Sequence, residues 1–424
     1  MRTFTLIWLG QLVSTIGNQM TGFALVLWAW QITGSATALS LVGFFYELPQ
    51  IPISLFAGLL VDRFNRKRLM MLGDAIAALS TLVIALLYLT DSLQIWHIYS
   101  SAAINGGFGQ IQRLAYQTSI SSIVSPAQYT RANSMNAVVH YGSAIVAPAL
   151  AGFLYPLVGL LGILSADLVT FGIAVATLLF LHIPQPPPTE KTGSVIHQLT
   201  FGLRHVWTRR DLRGLILVTA LFWFFHDLGD AIYDPMILAR TNGDARVLAS
   251  TATAAGIGGV TGAIVLSAWG GPKQRMHGLL IGFMGAGLSK VVFGLGRSPL
   301  IWLPTQFCSS LNFPLLGSSE TALWMEASQP KIQGRVFAAN DLVIQLVSAS
   351  AALLAGPLAD WVLEPAMASS AMQTHLLRYI FGTGTGAGSS VLYVLCAIAM
   401  LLTGIVSLSL HKKSHQPFSR HTRK

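Results

Sequence analysis

Carboxylates inside long apolar runs are the residues of this 424-residue chain whose position demands a chemical explanation. Asp227, Asp230 and Asp234 stand at i, i+3 and i+7 in LFWFFHDLGDAIYDP, so a helix puts all three on one face. Carboxylates in such a line suit a proton, a cation or a cationic organic group. A second reading makes Asp234, and with it Asp230, the polar end of a helix in a headgroup zone. His226 is offset by about 100° from Asp227 and points elsewhere. Glu47 sits in YELPQIP, where Pro49 and Pro52 bend a helix and free backbone carbonyls. A carboxyl in low-dielectric surroundings favours its neutral form, the property a proton carrier requires. A glutamate that pins one helix to another is the alternative. Lys290 needs a counter-charge, and Asp227 is a candidate partner for a structural ion pair. Arg113 keeps its charge, which suits an anionic substrate group or a gating carboxylate. Charges at such depths are expensive in lipid and face the protein interior or a water-filled path.

The elements that must hold these residues are apolar helices. Hydrophobic residues make up 53% of the chain and charged ones only 10%, too apolar a mixture for a soluble protein of this size. A bilayer crossing needs about 20 apolar residues. Twelve candidate spans follow, over 4–30, 37–61, 69–90, 95–120, 132–156, 160–183, 214–238, 247–270, 276–297, 299–325, 336–363 and 388–410. Backbone in lipid satisfies its own hydrogen bonds, so the spans are helices and the fold is all-α. The alternating segments of about ten residues that a barrel requires are missing from the sequence.

Lys and Arg are distributed very unevenly over the connections. With the N-terminus inside, 21 of the 26 lie on the cytoplasmic side, only Arg240, Arg246, Arg297 and Arg378 lie opposite, and Lys290 lies within a span. The net charge of +10 therefore reads as membrane topology, with both termini cytoplasmic, rather than as a nucleic-acid footprint. Attraction to anionic headgroups accounts for the tail HKKSHQPFSRHTRK. The expected location is a plasma membrane of the bacterial inner-membrane type. The first apolar segment is too long for a cleavable signal and lacks a small-residue cleavage site. Cys308 and Cys396 fall in apolar spans and read as packing residues.

Residues 184–213 divide the chain. The run IPQPPPTEKTG is extended, and Val195, Ile196, Leu199, Leu203, Val206 and Trp207 recur at helical spacing beyond it, as an interfacial helix would. This sets an N-terminal bundle of six helices over 1–183, a cytoplasmic linker over 184–213, a C-terminal bundle over 214–411 and a basic tail over 412–424. Weak internal similarity joins the halves: 125–154 and 329–362 each carry Pro, Arg and Asn at a helix entry and a small residue before Pro148 or Pro357. The segment 364–388, with GTGTGAGSS, reads as a flexible loop. The sequence holds no phosphate-binding loop, no nucleophile with a base and no His/Cys ligand cluster. Neither enzyme chemistry nor a cofactor or metal is expected, and ATP-driven transport is not supported.

The turn GLLVDRFNRKR, with Gly58, Leu60, Asp62, Arg63, Arg66 and Lys67, resembles the loop between helices 2 and 3 of the major facilitator superfamily, whose pattern is G-x-L-a-D-R-x-G-R-K. Asn65 replaces a glycine there, and asparagine tolerates a left-handed turn. GQLVSTIGNQM, ITGSATALSLVGFFYELPQIP, the Arg131/Asn133 entry and QGRVFAAN are similar to the macrolide-efflux and enterobactin-exporter branch. Gly142, Ala147, Pro148 and Gly152 resemble an exporter's antiporter motif in helix 5, with alanine in place of one glycine. Close helix packing explains the same residues without export. The resemblance implies twelve transmembrane helices in two pseudo-symmetric six-helix bundles, with substrate near the midplane between them. It also makes helices 1, 4, 7 and 10 the cavity wall, with Arg113 and Glu320 on helices 4 and 10 and Asn18, Gln19, Trp28 and Tyr46 near it as substrate-cavity candidates; helix packing is the other reading for the last four, and a place at the inner boundary for Glu320. Asp62 is expected to gate by meeting the start of helix 11 near Gln333–Arg335. Glu47, Asp227 and Asp230 are the proton-coupling candidates. Asn18 leaves a titratable helix-1 site of some relatives without a carboxyl. The function implied is proton-coupled export of a small amphipathic organic compound by a monomer; import, facilitated diffusion and a non-transporting membrane receptor are the alternatives.

Overall fold

A computed structural model describes residues 2–125, 128–181, 195–329, 332–368 and 375–414, and among these every regular element is helical. The first group of helices comprises α1 (Arg2–Thr33), α2 (Ala36–Glu47), α3 (Gln50–Arg63), α4 (Arg66–Leu89), α5 (Ile95–Ile123) and α6 (Tyr129–Phe180). After α7 (Val195–Thr208) come α8 (Arg210–Arg240), α9 (Ala245–Trp269), α10 (Arg275–Leu295), α11 (Pro299–Leu311) and α12 (Phe313–Ala327). The chain continues through α13 (Gln333–Pro357), a π-helical turn (Leu358–Leu363), α14 (Glu364–Ala368), α15 (His375–Phe381) and α16 (Ala387–Ser414). Nine helical segments among the described residues are long and apolar enough to cross a bilayer.

The difference from twelve has identifiable causes. The 52-residue α6 is two arms joined at Gly159, whose φ of 64° reverses the chain without a loop. The direction of each arm follows from its contacts with α1. Trp8 Nε1 donates to the Met135 carbonyl at 2.7 Å and the Tyr155 hydroxyl to Gln31 Oε1 at 2.9 Å, so the first arm runs parallel to α1. Gly10 lies against Thr177 and Gly17 against Thr170, so the second arm runs antiparallel. Only a glycine takes that φ without a Cβ penalty. The segment expected at 299–325 is broken at Asn312 into α11 and α12. The third is α5, long enough to span but not among the nine. The expected bend in 37–61 falls at Leu48 and Pro49, where α2 passes into α3 with both residues in helical conformation, and Ala36–Phe56 counts as one of the nine.

Short polar devices fix the helix ends. Ser35 caps α2 by accepting from Ala38 N, Asn65 caps α4 by accepting from Arg68 N, and Asp244 caps α9 through Arg246 N and Val247 N. Asn65 is thus a cap in extended conformation, φ −64° and ψ 116°, and not the left-handed turn expected of it. Two basic residues of the same turn close other helices. Arg66 donates to the Thr118 carbonyl at 2.7 Å near the end of α5, and Lys67 to Leu179 and Leu181 at 3.1 and 2.8 Å at the end of α6. Cations there complement the negative ends of both helices.

The largest core cluster links the two groups of helices, with Trp28, Ile232, Tyr233, Met236 and Trp302 buried in it. Trp28 is therefore core rather than cavity wall. Contact between the groups is closest at the end away from the basic turns. There Gly152 meets Ala249, and Gly356 meets Thr37 and Ser40. Two further expectations need correction. Cys396 is buried but Cys308 is exposed, and 364–388 includes the helices α14 and α15. Residues 184–194 and 415–424 lie outside the described residues, as do the side chains of Val195, Ile196, Leu199 and Asn133.

Candidate functional site

Helix faces position the site. α5 and α8, α12 and α13 leave between them a cavity of about 530 Å³ in the half of the bundle nearer the basic turns. Its polar lining includes Gln110, Arg113, Glu320, Asn340, Asp341 and Gln345, and its aromatic lining includes Trp223 and Trp324. Arg113 donates to Gln110 and lies within electrostatic range of both Glu47 and Asp341. Glu320 is buried and accepts from Trp223 Nε1 at 3.3 Å, with Asp341 within electrostatic range. This puts Glu320 in the cavity wall.

One helical turn beyond Trp223, Asp227 is half-buried. Its Oδ2 accepts from Ser348 Oγ of α13 at 2.5 Å, and its Oδ1 lies 2.9 Å from His226 Nδ1. The expectation that His226 points away fails, because the imidazole folds back along α8 to its neighbour. Glu47, where α2 passes into α3, lies within electrostatic range of Asp227 and Arg113. No hydrogen bond to its carboxylate occurs among the described residues. Tyr46 is exposed beside it, within range of the same arginine. A line of ionisable groups thus runs from the cavity, through Arg113 and Glu47, to Asp227, and it crosses from one group of helices to the other.

Lys290 lies beyond that line. It is buried in α10, its ammonium 3.4 Å from the Tyr393 hydroxyl and 5.3 Å from that ring's centre. Asp230 and Asp227 are both within electrostatic range, yet neither makes an ion pair within 4 Å among the described residues. The expected Lys290–Asp227 pair is therefore replaced by a tyrosine contact. Asp230 is exposed and Asp234 half-buried, so the three aspartates of α8 do not share one environment.

Other candidates fall elsewhere. Asn18 is exposed and Gln19 half-buried on α1, and neither lines the cavity. Ala147 is fully buried in α6, Pro148 lies inside the helix, and Gly152 is buried against α9, while Gly142 lies in the same arm. Gly58 lies within α3, and the side chains of Asp62 and Arg63 lie outside the described residues.

Three buried or cavity-facing aspartates have no counterpart in the sequence reading. Asp341 belongs to a stripe at i, i+4 and i+7 with Gln345 and Ser348, a spacing that marks one polar helix face. Asp74 accepts from Gln11 at 3.4 Å and Gln112 at 3.2 Å. Asp167 is fully buried and accepts from Thr21 at 2.8 Å and Thr81 at 3.2 Å. Asp167 is a structural hub by this geometry. Asp167→Ala leaves those hydroxyls without their acceptor, at about 1–3 kcal/mol each. Its thermal unfolding midpoint in detergent should fall clearly, and Asp167→Asn should recover part of the loss. An unchanged midpoint in Asp167→Ala would remove the structural role.

A helical membrane protein with a polar cavity between two helix groups has the architecture of a transporter. The chain matches the Major Facilitator Superfamily over residues 7–353 and belongs to that family. It is 25% identical over 361 residues to Macrolide efflux protein A of Streptococcus pyogenes, covering 84% of this chain and 89% of that protein. It is also 25% identical over 367 residues to the multidrug efflux pump Tap of Mycolicibacterium fortuitum, covering 84% and 88%. Among solved structures, a POT family transporter in complex with 5-aminolevulinic acid superposes with a TM-score of 0.71 at 12% identity, over 98% of this chain and 97% of that one. A bacterial homologue of the lysosomal transporter Spinster, inward-facing and unoccupied, gives 0.65 at 14% identity, over 96% and 95%. The family and the fold are those of membrane transporters, not of enzymes.

Proposed function

We propose that the protein exports a small amphipathic organic compound in exchange for protons, by alternating access. The observation that carries this reading is the line from the cavity to Asp227, in which Glu47 and Asp227 belong to different helix groups and sit within range of each other. Rocking one group against the other changes the spacing of these carboxylates and of Arg113, so protonation and opening are linked. The cavity supplies indole faces for an apolar body and carboxylates for a polar end. The efflux function named for two relatives supports outward transport.

The accompanying topology has twelve crossings, counting both arms of α6, α5 as one span and α11 with α12 as another. The basic turns and both termini lie in the cytoplasm of a bacterial-type plasma membrane, so the cavity faces inward. Six-helix bundles of 1–183 and 214–411, the linker between them and a single working copy complete the picture. Asp62 at the end of α3 acts as a gate against the start of α13.

An accumulation screen tests this reading. Cells with and without the protein are loaded with candidate compounds, and retention is followed with and without a protonophore. At least one amphipathic compound should accumulate less when the protein is present, and the difference should vanish with the gradient. Protein-dependent uptake in place of loss, or binding without any gradient-dependent flux, would overturn export.

A further inference from the structure

At the end of the bundle away from the basic turns lies a second cavity, of about 330 Å³. Two of the four basic residues on that side, Arg240 and Arg297, line it together with Asn242, Thr383 and Thr385. Arg240 ends α8. It donates through Nη1 to the Gly296 carbonyl at 2.6 Å and through Nη2 to the Phe381 carbonyl at 3.0 Å. Arg297, in the turn after α10, donates through Nη2 to the carbonyls of Tyr379 at 3.0 Å and Ile380 at 2.6 Å. These bonds orient both guanidiniums toward the loop 382–386. They also leave donors over, because each guanidinium has five N–H groups.

Charge is the unbalanced quantity here. Arg240 and Arg297 are near enough to repel each other. No carboxylate approaches either one within 4 Å among the described residues. Glu364 is within electrostatic range of Arg240, but its Oε1 already accepts from Ser389 N and Ser389 Oγ at 3.0 and 3.1 Å. The last carbonyls of α15 favour a cation, as those of α5 and α6 do, but a single guanidinium meets that need and leaves the second charge in the open cavity unbalanced. Arg297 and Thr383 are exposed, so a ligand can reach them. Planar N–H forks match oxyanions in geometry as well as charge.

We propose that this cavity binds an oxyanion, a phosphate or carboxylate group held between the Arg240 and Arg297 guanidiniums with the Thr383 hydroxyl as a further donor. The phosphate can belong to a free anion or to a lipid headgroup, since both present the same oxygens. The site is separate from the cavity at Arg113 and does not depend on what is transported.

The test uses the full chain in phosphatidylcholine nanodiscs, with thermal unfolding as the readout, because a ligand that binds only the folded state raises its midpoint. Inorganic phosphate and acetate are titrated against chloride at matched ionic strength, and a second series adds phosphatidylglycerol. A saturable rise with phosphate or acetate identifies a free anion, and a rise with phosphatidylglycerol alone identifies a headgroup. Arg297→Gln should weaken the effect at least about tenfold. Thr383→Asp keeps both arginine staples and places a carboxylate in the cavity, so it should abolish the response even if Arg297→Gln folds poorly. No rise in any series, or an undiminished rise in Thr383→Asp, overturns the assignment.

Discussion

Asp227→Asn and Glu47→Gln should each lower pH-gradient-driven flux in proteoliposomes by at least about tenfold while leaving substrate exchange without a gradient largely intact. The split follows from what an amide can imitate. A carboxylate that carries a proton must exist in both states during one cycle. Asn and Gln are close in shape to the protonated acids but cannot lose the proton, so the step that depends on release stops. A rate loss of that size corresponds to about 1.4 kcal/mol on the barrier. Exchange needs only the rocking of loaded protein, and it continues. The local structure should tolerate both changes. In Asp227→Asn the amide oxygen still accepts from Ser348, and Glu47 has no hydrogen bond to lose among the described residues. The two variants also separate the readings of each residue. If Glu47 merely pinned α2 to a neighbour, Glu47→Gln would change stability and leave the dependence on the gradient alone. Parental gradient-driven flux in both variants would sink the assignment of proton coupling to this pair.

How much of this was legible in the sequence depends on how local each signal is. The all-helical fold is written in the apolar runs, and the bend beside Glu47 is written in Pro49 and Pro52. Membership of the superfamily shows in GLLVDRFNRKR, a short turn rich in charge. Conformation was less legible where one backbone angle decides it. The gap between the spans expected at 132–156 and 160–183 falls at this turn, but a glycine in YPLVGLLG gives no warning that Gly159 alone reverses the chain, without a loop. Partners far apart in sequence were not legible at all. Asp167 is satisfied by Thr21 and Thr81, and Asp74 by Gln11 and Gln112, four residues from three other helices. Lone aspartates of this kind carry no periodic signature. The stripe Asp341, Gln345 and Ser348 does carry one, and it marks the face of α13 that turns toward the cavity and Asp227. His226 shows the opposite failure: helical geometry separates the Cβ directions of adjacent residues, but a long side chain can fold back across that angle.

Asp360→Ala should open the end of the protein away from the basic turns. In the π-helical turn after α13, the Asp360 carboxylate spans the boundary between the helix groups and caps α2. Its Oδ2 accepts from Ser35 Oγ at 2.6 Å and Thr37 N at 2.8 Å, and its Oδ1 from Ala36 N at 3.2 Å. The first amides of α2 have no partner within their own helix, and the positive end of the helix favours the anion. Hydrogen bonds to a charged group contribute about 1.5–3 kcal/mol each. Water replaces part of this when the groups separate, which leaves a net stabilisation of the closed end on the order of 3 kcal/mol, or about a hundredfold in population. Beside the latch, Gly356 packs so closely that a Cβ would lie 2.3 Å from the Thr37 Cα and from the Ser40 hydroxyl. Gly356→Leu should therefore hold the same end apart by bulk, through a different mechanism. Ser40 is buried when the end is closed, so Ser40→Cys in a background without Cys308 and Cys396 reports opening through its rate of modification by a membrane-impermeant maleimide. Asp360→Ala should accelerate that modification by about two orders of magnitude, and Asp360→Asn by less, since an amide oxygen in the place of Oδ2 still accepts two of the three bonds. Modification at the parental rate in Asp360→Ala would mean that helix packing alone closes this end and that the carboxylate contributes nothing to the balance between the two open forms.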